Sequence, residues 1–273
     1  MKNFLLFILI TAVPFFSLAQ QSEQKLTKKE KKAAFNRKVD TLLKRNEDGA
    51  LIFHKYGLLG YKLNTDGGSF VYEHGKFSSL TKNKLWWIEI GERKDRKQQR
   101  LTPPPFYDQY GNQYNGNSYI YGKENNFYYI KWGVGQERLL GNKATKNGVA
   151  VSVLYGGGLS LGLLKPYYLK TVDSTGQLED IKYNNNDTIF LNTQYIFGYA
   201  GWSKGLNEIK LVPGLFARGA LRFEFGHYKE TISAVEVGVN AEYYTQNMPI
   251  MALIPAKNYF INGYISILFG ERN

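Results

Sequence analysis

The sequence contains no cysteine among its 273 residues. The absence of cysteine excludes disulfide bonds, thiolate metal sites and a lipid anchor attached to a cysteine. We therefore expect the stability of the chain to come from a packed core or from a membrane.

Long apolar runs are also absent after residue 19, so we expect no transmembrane helix. The first 19 residues combine Lys2, an apolar stretch from Phe4 to Phe16 and a small-residue site at Ser17–Ala19. This pattern is typical of a secretory signal peptide that is cut after Ala19. The sequence thus predicts an exported protein with a signal peptide over residues 1–19.

Histidine is scarce, with three residues at positions 54, 74 and 227 and no metal-ligand spacing among them. A nucleophilic serine needs a base beside it. Ser152 or Ser160 could be paired with His54, but nothing in the sequence brings them together. The sequence therefore predicts no catalytic residues, no metal site and no cofactor.

Acidic residues are outnumbered, with 23 Asp and Glu against 35 Lys and Arg, which gives a net charge of +12. Much of this excess lies in residues 20–48 and in Arg93–Arg100. We expect residues 20–48 to form a charged, partly helical periplasmic segment, either a solvated tail or a docking helix. An exported protein is not expected to bind nucleic acid; anionic lipid headgroups, glycans or an acidic protein partner fit better.

Alternation is the clearest pattern present, and it is strongest in Gly148–Leu164. The odd positions there are mostly bulky and apolar, whereas the even positions are mostly Gly, Ser or Ala. Successive side chains of a strand point to opposite faces, so this stretch predicts a strand with lipid on one side and a crowded barrel interior on the other.

Seven further stretches alternate in the same way, which predicts an all-β, transmembrane, antiparallel up-and-down β-barrel over residues 49–273. Ser69–Gly75 and Ser118–Gly122 are strand-like but short; we expect loop hairpins, although ten strands result if both span. A soluble barrel would show the same alternation with its apolar face inward. The predicted strands are Leu51–Leu63, Leu85–Arg93, Phe127–Leu139, Gly148–Leu164, Ile189–Gly201, Leu211–Gly226, Ile232–Tyr244 and Tyr259–Gly270.

The polar faces of these strands carry a set of acids and bases that we expect to form a charge network filling the lumen. A narrow pore or a buried catalytic site are the alternatives. The predicted lumen residues are His54, Lys62, Glu89, Arg93, Lys131, Glu137, Arg218, Arg222, Glu224, Glu236 and Glu242.

Large aromatic residues near strand ends favour a membrane barrel, because such residues gather at both membrane interfaces. The predicted interface aromatics are Trp86, Trp132, Tyr199, Trp202, Tyr243 and Tyr259.

The predicted strand order also places the longest connections, residues 94–126 and 165–188, on the periplasmic side. Either the strand count is wrong or these connections form a platform for a periplasmic partner. On the second interpretation, the basic residues Lys94, Arg96, Lys97 and Arg100 are the candidate contacts.

Several stretches together resemble a family of small, largely uncharacterised outer-membrane β-barrel proteins of Bacteroidota. The resemblance covers nearly all of Leu51–Gly270 and implies the barrel and the outer membrane, but no catalytic residues. The stretches are WIEIGERKDRKQ from Trp87, SYIYGKEN from Ser118, VGQERLLGNKATKNGVAV from Val134, GGGLSLGLLKPYYL from Gly156, PGLFARGALRFEFG from Pro213, MPIMAL from Met248 and GYISILFG from Gly263.

Taken together, these features predict a non-enzymatic outer-membrane barrel that acts as an accessory subunit of an envelope complex for outer-membrane protein assembly or secretion. The expected partners are outer-membrane lipid and lipopolysaccharide and a protein on the periplasmic side. The alternatives are a lipid-modifying enzyme of the outer membrane and a narrow pore.

Overall fold

The computed structural model describes residues 54–79, 81–107, 110–141, 149–172, 177–184, 188–225 and 231–273. All of them belong to one compact unit. The predicted signal peptide (1–19) and charged segment (20–48) lie outside the described residues, as does His227. No helix in the described part of the chain is long and apolar enough to cross a membrane.

The described residues form almost only strands, with one short helix and one 3-10 turn at Leu206–Glu208. In chain order the elements are β1 (Lys55–Asn64), β2 (Gly67–Ser79), β3 (Lys82–Arg93), β4 (Arg100–Leu101), β5 (Phe106–Tyr107), β6 (Gln113–Tyr114), β7 (Tyr119–Ile120), β8 (Asn125–Gly141), β9 (Val149–Pro166), β10 (Tyr168–Val172), β11 (Leu178–Lys182), α1 (Thr188–Leu191), β12 (Ile196–Tyr199), β13 (Lys210–Phe225), β14 (Thr231–Met248) and β15 (Lys257–Arg272).

Eight long strands close into a barrel in the order β1-β15-β14-β13-β9-β8-β3-β2. Every neighbouring pair is antiparallel, and the last strand pairs with the first from Tyr56↔Arg272 to Asn64↔Tyr264. The predicted all-β antiparallel barrel of eight strands is therefore confirmed, and the ten-strand alternative is wrong.

Two of the predicted strand assignments are wrong, and the two errors cancel in the count. Ser69–Gly75 belongs to the barrel strand β2, because the two-residue turn at Thr65–Asp66 folds it directly onto β1. Ile189–Gly201 is not a barrel strand; it holds most of α1 and β12, and its Phe190 and Ile196 are buried in a separate core.

The small face of β9 fits around one large side chain in the lumen. Trp87 is fully buried, and a Cβ atom added at Gly133, Gly135 or Gly156 would come too close to its ring. The odd positions of β9 point outward, as predicted, and Leu159 is 59% exposed. Glycine is therefore needed on two neighbouring strands so that the indole can lie across the barrel interior.

The two longest connections of the barrel, β3–β8 and β9–β13, do not lie where the sequence predicted. The connections β1–β2, β3–β8, β9–β13 and β14–β15 share one end of the barrel, here called the cap end. Both chain ends of the barrel lie at the opposite end, where the His54 backbone N–H donates to the Asn273 carbonyl at 2.9 Å. The predicted placement of the long connections on the side of the N-terminus is wrong, because β2 reverses the direction of β3, β8 and β9.

The two longest connections fold together into a small module with its own core. We call their described parts, residues 94–107, 110–124, 167–172, 177–184 and 188–209, the loop cap. Its core contains Tyr119, Tyr167, Leu169, Phe190 and Ile196, and it includes the three-stranded sheet β11-β10-β12. The Ile120 N–H donates to Tyr167 Oη at 3.0 Å and so joins the two connections.

Candidate functional site

The half of the lumen nearer the loop cap contains a chain of buried ion pairs. Glu89 accepts a hydrogen bond from Lys62 Nζ at 2.6 Å and lies 3.5 Å from Lys131 Nζ. Lys131 Nζ also lies 2.6 Å from Glu242, which Arg93 Nη2 reaches at 2.7 Å. All five side chains are buried, and such burial is stable only when the charges are paired in this way.

A second network fills the half of the lumen nearer the chain ends. Arg222 contacts both carboxylate oxygens of Glu73, at 2.7 and 2.9 Å, and one oxygen of Glu236 at 2.7 Å. Arg218 donates to Glu73 at 3.1 Å, and its guanidinium lies 3.9 Å from the centre of the Trp87 ring. The bidentate arginine geometry fixes the carboxylates in orientation as well as in position.

Further buried contacts lie toward the end of the barrel that holds the chain ends. Glu137 accepts a hydrogen bond from Tyr56 Oη at 3.0 Å and lies 3.9 Å from Arg222. Near the chain ends, Arg272 forms a salt bridge with Glu224. Strands on all sides of the barrel are thereby joined through its interior.

The structure places ten of the eleven predicted lumen residues in the lumen. His54 is the exception, because β1 begins at Lys55 and leaves His54 exposed at the end of the barrel. Three lumen charges were missed: Asp66 and Glu73, which came with the unrecognised β2 hairpin, and Arg272, which lies beyond the predicted last strand. The hairpin turn at Asn64–Gly68 was the sequence signal that could have identified the first two.

A cavity of about 50 Å³ lies at the end of the second network, lined by residues that include Glu137, Ser152 and Arg222. This volume is enough for a few water molecules. In the described residues no group of three or more His, Asp or Glu is placed to hold a metal ion.

The serine and histidine pairing considered from the sequence is not formed. Ser160 Oγ lies 2.8 Å from Tyr244 Oη inside the lumen, and Ser152 is buried at the cavity. His54 is exposed at the barrel end, and His74 points outward beside the Trp86 ring. Neither serine therefore has a histidine base within the described part of the chain.

The outer surface of the barrel is an apolar belt. The most exposed members include Ile261 at 72% and Phe70 at 66%. A continuous apolar surface of this extent is unusual for a monomeric protein in water and marks a surface that another apolar phase covers. Trp86, Trp132, Tyr243 and Tyr259 belong to this belt, whereas Tyr199 stacks on Tyr167 in the loop cap.

The predicted basic contacts Lys94, Arg96, Lys97 and Arg100 are exposed in the loop cap, at the end of the barrel opposite the chain ends. Trp202 also belongs to the loop cap and lies over the outer face of β8, where its Nε1 donates to Tyr128 Oη at 3.1 Å. These four basic residues and Trp202 therefore lie at the same end of the barrel.

No protein-family model and no curated protein sequence matches the chain. Among solved structures it is similar to Neisserial surface protein A (NspA), with a TM-score of 0.38 and 9% identity over 81% of this chain and 97% of that one. It is also similar to Ail, the attachment invasion locus protein of Yersinia pestis, with a TM-score of 0.36 and 10% identity over 81% and 100% of the two chains. At these scores and identities, the similarities carry no inference about function.

Proposed function

We propose that the chain is a non-enzymatic β-barrel that spans the outer membrane, with a filled lumen and with the loop cap at the cell exterior. The arrangement of its two faces carries this proposal: large apolar side chains cover the outside, while ion pairs fill the inside. A soluble barrel requires the reverse arrangement.

The lengths of the connections support the orientation. Barrels of this kind have short periplasmic turns and long extracellular loops. At the end of the barrel that holds both chain ends, the connections are residues 80–81, 142–148 and 226–230. At the cap end, the two longest connections are residues 94–124 and 167–209. The loop cap is therefore the extracellular part of the protein.

The filled lumen supports a role that depends on the outer surfaces of the protein rather than on transport. The loop cap carries exposed apolar residues such as Leu178 (56% exposed), and Leu253 is exposed in the neighbouring β14–β15 connection. Such residues on a folded module are typical of a protein-contact surface. The protein thus acts as an accessory subunit of an envelope complex, and it contacts its partner through the loop cap.

Photo-crosslinking in intact cells tests this role. A photoreactive residue at Leu178 should give a cross-linked product with a partner protein, and the same residue at Ile265, on the apolar belt, should not. In detergent extracts the wild-type protein should migrate as part of an assembly larger than a single chain. Absence of cross-links from the loop cap, together with migration as a single chain, would contradict the proposed role.

A further inference from the structure

One group of side chains lies at the boundary between the apolar belt and the loop cap. We call it the rim cluster: Glu92, Lys94, Lys123, Tyr128, Lys165 and Trp202. Its position follows from the strand register, in which Glu92 pairs with Tyr128 directly beyond the outward pair Ile90 and Ile130. The cluster therefore begins where the apolar surface ends.

Two lysines of the rim cluster are buried without a paired carboxylate. Lys123 and Lys165 are each 1% exposed, and neither forms a salt bridge with any described residue. Lys165 Nζ donates to the Trp202 carbonyl oxygen and lies 4.7 Å from the centre of the Trp202 ring. A carbonyl and an aromatic ring stabilise an ammonium group but do not neutralise its charge.

The exposed part of the rim cluster adds a third positive charge and only one negative charge. Lys94 Nζ lies 3.6 Å from Glu92, and the Lys94 side chain is 57% exposed. Three lysines against one glutamate give the cluster a net charge of +2. Buried charges are screened much less than exposed ones, so Lys123 and Lys165 contribute strongly to the potential around Lys94.

The pKa of Lys123 reflects both its burial and the neighbouring charges. Burial lowers its pKa to about 8; the Glu92 carboxylate raises it, while Lys94 and Lys165 lower it further. A lysine whose pKa is lowered in this way lies at a site that gains from a bound anion, because the anion stabilises the charged form.

The aromatic residues of the rim cluster indicate the level in the membrane at which an anion would bind. Trp202 is 60% exposed although its ring covers Lys165 and its Nε1 is bound to Tyr128. Exposed tryptophan beside a lipid-facing apolar surface is typical of the level of the lipid headgroups. We propose that the rim cluster binds the phosphate group of an anionic lipid headgroup in the outer leaflet, with Lys94 and Trp202 at the contact.

This inference rests on the proposed membrane location, and its test uses the full-length protein folded in detergent. Retention of phosphatidylglycerol and phosphatidylcholine is compared by native mass spectrometry. The wild type should prefer phosphatidylglycerol, and Lys94→Gln should weaken that preference roughly fivefold, since one lysine near an anionic surface contributes about this factor. Glu92→Gln should strengthen it by a similar factor, because it removes the one negative charge.

Lys257→Gln is the matched control, because Lys257 is exposed at the same end of the barrel on β15, which is separated from β8 by three strands in either direction. It should leave the preference unchanged. Lys165→Met, which keeps the apolar stem, should also reduce the preference; if that variant fails to fold, the substitutions at residues 92 and 94 decide.

Three results would overturn the inference: equal retention of the two lipids, the same response in Lys257→Gln as in Lys94→Gln, or displacement of the lipid by millimolar inorganic phosphate. The last result would assign the cluster to a free anion rather than to a lipid. The proposed membrane location is tested separately. If it is wrong, outer-membrane fractions will contain no folded barrel.

Discussion

Removal of Arg222 is expected to cause the largest loss of stability in the lumen. Its guanidinium is fully buried and donates two hydrogen bonds to Glu73, at 2.7 and 2.9 Å, and two to Glu236, at 2.7 and 3.1 Å. In Arg222→Met, Glu73 keeps Arg218 at 3.1 Å, and Glu236 keeps the same arginine at 3.8 Å. Two carboxylates would then share one guanidinium inside the barrel.

Breaking a buried pair by removing one partner costs about 3–5 kcal/mol, because the other charge stays buried without compensation. We therefore expect Arg222→Met to lower the free energy of unfolding by about 3–5 kcal/mol. The measurement is urea unfolding of the full-length protein in phospholipid vesicles, with the folded fraction read from electrophoretic mobility of unheated samples.

Two controls separate this effect from a general loss of charge. Arg138→Met removes an exposed arginine that lies 5.6 Å from the Tyr155 ring, and it should change the free energy by less than about 1 kcal/mol. The double variant Arg222→Met/Glu73→Gln should be about 1–3 kcal/mol more stable than Arg222→Met alone. A loss below about 1 kcal/mol in Arg222→Met, or no recovery in the double variant, would refute the account of the lumen.

Three further expectations concern the wall, the loop cap and the rim cluster. Gly158→Ala should lower the free energy of unfolding by about 1–3 kcal/mol in the same urea assay, because a Cβ there would overlap the Trp132 carbonyl oxygen. Gly219→Ala should leave the free energy unchanged, because Gly219 has open space around it. Tyr167→Ala should lower the free energy of unfolding of the loop cap by about 3 kcal/mol and raise the rate of its limited proteolysis roughly a hundredfold, while the barrel stays folded. Equal rates of proteolysis in the variant and the wild type would contradict a separate core in the loop cap. Since the pKa of Lys123 is about 8, its positive charge is present below that pH and lost above it. The preference for anionic lipid in native mass spectrometry should therefore fall between pH 7 and pH 9 in the wild type but not in Lys123→Gln. A preference that rises with pH would contradict the rim cluster as the binding site.

Alternation was sufficient to predict the barrel because it is a local property of each strand. The inward and outward faces of β9, β13 and β14 follow directly from the period of two, as the exposed Leu159 and the buried Arg222 show. The same alternation could not distinguish Phe70 and Tyr72, which face outward on β2, from Tyr195 and Phe197 in the loop cap.

Pairing, unlike alternation, depends on distant parts of the chain. β2 is a barrel strand because β1 and β3 both pair with it, and no feature within Ser69–Gly75 reports this. Predicting Ile189–Gly201 as a barrel strand in place of β2 kept the count at eight. It also reversed the predicted direction of the three strands between them, β3, β8 and β9. For the same reason, the lumen residue Glu73 was missed and the long connections were predicted at the wrong end. The rim cluster combines residues from three strands and two connections, so its parts are scattered over residues 92–202 and no sequence pattern joins them.

The most direct test of the proposed orientation is thiol labelling of single cysteines in intact cells with a membrane-impermeant reagent. The chain has no native cysteine to interfere. Lys97→Cys lies exposed in the loop cap and Thr81→Cys lies exposed at the opposite end. We predict labelling of Lys97→Cys in intact cells and of Thr81→Cys only after lysis. The reverse pattern would contradict the orientation, and labelling of both only after lysis would contradict an exposed loop cap.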